Sequence, residues 1–172
     1  MAVEVLRPNA TTSHNWPSLT GPTAHQATSD DSDTTYIRNN TDVSQEDILE
    51  LGATSLTTET IDSIDVRFRA RSETSANGVI QCGVRLSGTE TLGTEKTSVP
   101  TSATNYEDTS LARPGGGSWS VSDLNGLQVV AYGRKNTSGG IRCFELFVDV
   151  NYTAGASTTI KDIISVGLVF PR

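Results

Sequence analysis

The residues of this chain that could do chemistry are few. Glu145 and Asp149 lie four positions apart, so in a strand, where side chains alternate between faces, they share one face. Two carboxylates on one face could serve as the acid and base of a glycoside hydrolase. Phe147 lies between them on that face, and no cluster of aromatic residues accompanies them to hold a sugar. We therefore expect a face that contacts solvent or a protein, with a hydrolase as an alternative.

The sequence lacks the usual patterns of nucleophilic catalysis and of phosphate binding. A nucleophile needs a base beside it, and His14 and His25 both lie in the first part of the sequence. The stretch GGGSW at residues 115–119 matches neither Gly-x-Ser-x-Gly nor a phosphate-binding loop. Cys82 and Cys143 lack the spacing of a metal site, and we expect two free thiols, with Cys82 inward and Cys143 outward. We predict no catalytic residue, no cofactor and no metal ion.

One acidic run leaves an alternative open. Asp30, Asp31 and Asp33 place carboxylates near one another, and calcium prefers oxygen ligands. The spacing differs from an EF-hand loop, and the glycine of that loop is absent. We expect an exposed turn that leads into a strand, with a bound calcium ion as the alternative.

Alternating apolar residues indicate an all-β fold. Between residues 61 and 71 the inward positions are Ile64, Val66, Phe68 and Ala70, and residues 141–152 alternate in the same way. We predict two hairpins, which pair 61–71 with 78–86 and 127–133 with 141–152. A short helix should begin at Ser120. Further strands are expected at 34–38, 47–51, 105–111 and 163–170, with an edge strand or loop at 89–100.

These elements predict a single jelly-roll-like β-sandwich over residues 34–172, preceded by an extended N-terminal arm over residues 1–33. The arm is rich in Pro, Ser and Thr, yet it carries apolar residues that are costly to leave in water. We expect the arm to lie across its own domain, a neighbouring subunit or a larger scaffold, and deletion of residues 1–29 to leave the sandwich folded but to abolish partner binding. The candidate partner-binding residues of the arm are Val3, Val5, Leu6, Trp16 and Leu19.

The charge of the chain limits the kinds of molecule that it is expected to bind. The net charge is −7, which disfavours phosphate-based binding of nucleic acid. Arg67, Arg69 and Arg71 alternate on one strand face, which is either partner-facing or simply solvated, and with Phe147 they form a second candidate partner-binding set. The sequence contains neither a long apolar membrane span nor a basic-apolar secretory signal, so we expect no membrane partner and assembly in a cytoplasm.

The chain resembles a family of small β-sandwich proteins in the virions of tailed bacteriophages. The resemblance covers roughly residues 30–152 and rests on the segments 30–37, Ile-x-x-Ile-x-Val from Ile61, the Pro-Gly turn before Trp119, 123–128 and 148–152. It implies a non-enzymatic protein that decorates or cements the outer surface of the capsid. The implied partners are the major capsid protein and further copies of the chain in a dimer or trimer, and the implied location is the virion, after assembly in the host cytoplasm. The long arm departs from the family, which leaves open a head-fibre or tail component. Another alternative is a carbohydrate-binding jelly-roll module with a platform of Tyr36, Tyr106 and Tyr132.

Overall fold

The computed structural model describes residues 1–137 and 139–155, and this part of the chain confirms the predicted all-β sandwich. Two antiparallel sheets of six strands each pack against one another. The first sheet contains β1 (Ala2–Leu6), β3 (Ser18–Thr20), β4 (Tyr36–Asn39), β6 (Thr60–Ser72), β10 (Thr104–Asp108) and β12 (Ile141–Thr153). The second sheet contains β2 (Pro8–His14), β5 (Gln45–Leu51), β7 (Gly78–Leu86), β8 (Thr89–Leu92), β9 (Lys96–Val99) and β11 (Gln128–Lys135).

Two long strands, β6 and β12, form the centre of the first sheet. The strand order is β10-β6-β12-β4-β3, and β1 pairs with β12 beyond the end of β4. In the second sheet the order is β2-β5-β11-β7-β8, and β9 also pairs with β7. The predicted inward residues of β6 are all buried, because every second side chain of a strand points to the same face.

Two short helices lie in connections between strands of the sandwich. Helix α1 (Ala24–Ser29) begins after Thr23, whose side chain accepts a hydrogen bond from the backbone N–H of Gln26. Helix α2 (Val121–Leu124) begins after Ser120 and confirms the predicted helix. Ser120 and Asp123 form a capping box there, which satisfies backbone N–H groups that a helix leaves unpaired at its start.

Both predicted hairpins are wrong. Strand β6 belongs to the first sheet and β7 to the second, and the same holds for β12 and β11. The chain therefore crosses between the sheets after β6 and after β11. Alternation shows which face of a strand is buried, but it does not show which strand lies beside it.

The predicted outward position of Cys143 is also wrong, because β12 contains a bulge. Cys143 pairs with Ala70 and Glu145 pairs with Arg69, so Phe144 is an extra residue in the strand. The extra residue shifts the alternation by one position. Both Cys143 and Cys82 are buried in the core as free thiols, as predicted for their redox state.

The N-terminal segment requires a correction, since it is not an arm outside the sandwich. Residues 1–33 supply β1, β2, β3 and α1, and thus strands to both sheets. The indole of Trp16 is 2% exposed and lies in the core. Deletion of this segment would remove three strands, so we no longer expect the remainder to fold. The predicted strand 163–170 lies outside the described residues.

Candidate interaction surface

The outer face of the first sheet carries the alternating arginines of β6. Arg67, Arg69 and Arg71 are half-buried and point away from the core, opposite the buried Val66, Phe68 and Ala70. The neighbouring strand β12 places Phe147 directly beside Arg67. The structure therefore brings the second predicted partner-binding set together on one face, which we call the arginine face.

Carboxylates from neighbouring segments pair with the first two of these arginines. Arg67 contacts Glu107 of β10 at 2.9 Å and Asp149 of β12 at 2.5 Å. Arg69 contacts Asp33 at 2.7 Å, in the loop after α1. Pairs at this degree of exposure contribute little net stability, but they hold long side chains in defined positions.

A fourth carboxylate, that of Glu73, holds two arginines together at the end of the sheet near β4. The Glu73 carboxylate accepts hydrogen bonds from the guanidinium of Arg38 at 2.7 Å and from that of Arg142 at 2.6 Å. Burial acts to raise the pKa of Glu73, but these hydrogen bonds outweigh it and the pKa lies below its ordinary value. Glu73 is therefore ionised at neutral pH and links β4 to β12.

Aromatic rings lie among the guanidinium groups. The Arg7 guanidinium stands 4.8 Å from the ring centroid of Phe147 and donates to Glu145 at 2.9 Å. At the bulge, Arg71 stands 5.5 Å from the ring centroid of Phe144, and it has no ion pair within the described residues. Such cation–π contacts hold the guanidinium groups near these rings; the Phe144 ring itself is fully buried.

Among the described residues, the hollow at the centre of the arginine face is small for a ligand pocket. The hollow between β10 and β12, lined by Arg67, Glu107 and Phe147, measures about 200 Å³. Sites for drug-sized ligands usually measure roughly 300–1,000 Å³. The arrangement is better suited to contact with a protein surface, because arginine and aromatic side chains are enriched at protein interfaces.

No protein-family model matches this chain, and no curated protein sequence matches it. Within the described residues, no helix is long and apolar enough to cross a membrane. No group of three or more His, Cys, Asp or Glu side chains in that part of the chain is arranged to hold a metal ion. The resemblance to virion proteins therefore stays a prediction.

The first predicted partner-binding set is divided by the fold. Leu6 is 3% exposed and Trp16 is buried with it in this chain's own core, so neither is available to a second molecule. Leu19 packs against the same core. Val3 and Val5 are 53% and 48% exposed, and they are the members of the set that remain on the surface.

The hydrolase alternative finds no support in the placement of its two carboxylates. Glu145 pairs with Arg7 and Asp149 pairs with Arg67, so each carboxylate is already neutralised. Four residues of strand separate their backbones by about 13 Å. Retaining glycosidases hold their carboxyl groups about 5 Å apart and inverting enzymes roughly 6.5–9.5 Å apart.

The proposed carbohydrate platform is not formed either. Tyr36 packs edge-on against Phe144, with ring centroids 5.7 Å apart, while Tyr106 stacks on Phe68 at 5.2 Å. Tyr132 lies on β11 in the other sheet. The three tyrosines therefore do not share a plane on which a sugar could stack.

The acidic run forms a turn, as predicted. Asp30 accepts hydrogen bonds from the backbone N–H of Ser32 at 3.1 Å and from the hydroxyl of Thr35 at 2.6 Å. Asp31 and Asp33 both face the guanidinium of Arg69, at 3.7 and 2.7 Å. Their carboxylates thus compensate the charge of the arginine face.

Sequence reasoning missed the pair of His14 and Asp47. Asp47 is fully buried and accepts hydrogen bonds from His14 Nδ1 and from the backbone N–H of Asn15, both at 2.7 Å. The backbone N–H of Trp16 donates to it as well, at 3.1 Å. Burial raises the pKa of Asp47, and these donors offset part of that effect. No local pattern reveals this pair, because its members are 33 residues apart and meet only through the pairing of β2 with β5.

Proposed function

We propose that this protein is a non-enzymatic structural component of a tailed-bacteriophage virion, which binds the outer surface of the capsid and stabilises it. The observation that carries the proposal is the arginine face. Its guanidinium and aromatic groups lie on one sheet face, and its arginines form ion pairs with strand β10 and with the loop after α1. A protein that binds a broad surface needs such a face more than it needs a cavity.

The physical basis of stabilisation is contact area. A decoration protein that bridges capsid subunits adds buried surface at their joints, and stable interfaces bury roughly 1,200–2,000 Å² in total. Arginines with little freedom lose little conformational entropy on binding, and residues such as Arg71 and Phe147 are of the types that dominate binding energy in interfaces. Assembly as a dimer or trimer would multiply the contacts per particle.

Co-sedimentation with capsids tests this function. Heads assembled from the major capsid protein encoded in the same genome would be mixed with the purified protein and separated on a sucrose gradient. We expect saturable binding at a fixed number of copies per capsomer, and a higher temperature of head disruption for decorated particles. A folded protein that stays at the top of the gradient at every concentration would contradict the proposal. Binding to tails or fibres instead of heads would reassign it within the virion.

A further inference from the structure

Three arginines stand side by side across the first sheet, on its outer face. Arg38 of β4 lies directly opposite Arg142 of β12, and Arg142 lies directly opposite Arg71 of β6. Residues directly opposite one another in antiparallel strands share a face, with Cβ atoms about 4.5–5.5 Å apart. The three guanidinium groups can therefore contact one ligand above the sheet, and we call this set the arginine row.

The arginine row carries more positive charge than its carboxylate balances. Glu73 pairs with Arg38 at 2.7 Å and with Arg142 at 2.6 Å. Arg71 forms neither a hydrogen bond nor an ion pair with any described residue, and its Nε is buried without an acceptor among them. Three guanidinium groups and one carboxylate leave an excess of two positive charges, in a chain whose net charge is −7. Like charges opposite one another destabilise a sheet, so a bound anion would stabilise this arrangement.

Aromatic rings hold two arginines of the row in place. The Arg142 guanidinium stands 4.3 Å from the ring centroid of Tyr36, and the Arg71 guanidinium stands 5.5 Å from that of Phe144. All three arginines of the row remain partly exposed, so a solute can reach them. Side chains that are positioned in advance lose little conformational entropy when a ligand binds.

The unused N–H groups of the row suit an oxyanion with two negative charges. A guanidinium carries five N–H donors in a planar fork, which binds carboxylate and phosphate oxygens in pairs. Arg71 uses none of its donors within the described part of the chain, and the Nε of Arg38 also lacks an acceptor there. A phosphate group carries about −1.5 to −2 charges at pH 7, which matches the excess of the row, whereas one carboxylate would balance half of it.

We propose that the arginine row binds a phosphate group, either as inorganic phosphate or as a phosphate monoester. Arg71 supplies the fork that no internal carboxylate occupies. Arg38 and Arg142 contribute their remaining N–H groups from the neighbouring strands, while Glu73 keeps both of them in position. This site does not rest on the proposed function, since it requires no capsid.

Isothermal titration calorimetry of the full-length chain tests the proposal. Sodium phosphate, glycerol 3-phosphate and sodium acetate are titrated at about pH 7.5, where phosphate is mostly dianionic. The ionic strength is held constant, because salt screens exposed charges. Arg71→Gln removes the free fork, and Arg71→Lys keeps the charge without the planar fork. Arg134→Gln, whose arginine pairs with Glu95 on the second sheet, is the matched control.

We expect saturable binding of phosphate at one site, weakened at least about 10-fold by Arg71→Gln because charge-assisted hydrogen bonds are lost. Arg71→Lys should be intermediate and Arg134→Gln unchanged, with circular dichroism to confirm that each variant is folded. Equal affinity for glycerol 3-phosphate would assign the site to monoesters, and binding of phosphate without it would assign the site to the free ion.

Three results would overturn the proposal of a phosphate site. The first is acetate binding as tightly as phosphate, and the second is unchanged phosphate binding by folded Arg71→Gln. The third is the lack of saturable phosphate binding both by calorimetry and by the chemical shifts of the protein in NMR spectra. None of these results bears on capsid binding, which is measured separately.

Discussion

The indole of Trp16 lies directly on the backbone of Gly133. A methyl group at Gly133 would stand 2.6 Å from Cη2 of Trp16, closer than two carbon atoms can approach. Trp16 comes from the segment after β2, and Gly133 lies in β11 at the centre of the second sheet. This contact packs the N-terminal segment into the core, whereas the sequence alone suggested an arm outside the sandwich.

Gly133→Ala should therefore lower the free energy of unfolding by about 1–3 kcal/mol, because overpacking forces the indole or the strand to move. Urea denaturation measures the change. Gly126→Ala is the matched control, since the nearest atom to a methyl group there is Leu86 Cδ1 at 3.8 Å. Adding Trp16→Leu to Gly133→Ala should cost less than the sum of the single changes, and strict additivity would argue against the contact.

Asp47→Ala should destabilise the fold by about 2–4 kcal/mol. The substitution leaves the backbone N–H groups of Asn15 and Trp16 without their acceptor, and unsatisfied buried donors are costly. Asp42→Ala, at a carboxylate that is largely exposed, should change stability by less than about 0.5 kcal/mol. Thermal melting of the three proteins makes the comparison, and equal melting temperatures would contradict the buried role of Asp47.

Because of the cap of helix α2, the stability of the fold should vary with pH in the acidic range. Hydrogen bonds from Arg113 hold the pKa of Asp123 at about 2, below its ordinary value of 3.8, against the opposing effect of burial. Because the folded pKa is the lower one, ionised Asp123 stabilises the fold above about pH 4, and this contribution is lost as the pH falls toward about 2. Asp123→Asn should cost about 1 kcal/mol at pH 7 and progressively less below pH 4. A cost that stays constant down to pH 2 would contradict this assignment.

Both thiols should resist alkylation in the native protein. Burial raises the pKa of Cys82 and of Cys143, and the thiolate is the reactive form. We expect less than about a tenth of the cysteine to react with iodoacetamide at pH 8 before unfolding, and both residues to react in guanidinium chloride. Rapid labelling of Cys143 in the native protein would contradict its buried position and support the outward position that simple alternation predicts.

The fold class could be predicted from the sequence because apolar residues, which become buried, recur at every second position of β6 and along much of β12. The sequence could not predict which sheet each strand joins. The alternation of apolar residues in β6 is the same whether the neighbouring strand is β7 or β12. One bulge at Phe144 was enough to move Cys143 from the predicted outer face to the core. The arginine face was predictable from residues 67–71, whereas its pairing with Glu107 and Asp33 depends on strand order and on the loop after α1.

Binding of two charge-reversal variants to capsids tests the central claim most directly. Arg71→Glu lies on the arginine face and breaks no described ion pair, while Arg134→Glu lies on the second sheet as the matched control. Both should remain folded by circular dichroism. We predict at least 10-fold weaker binding of Arg71→Glu to heads, with Arg134→Glu close to the wild type. Wild-type affinity for Arg71→Glu, together with a loss for Arg134→Glu, would contradict the account.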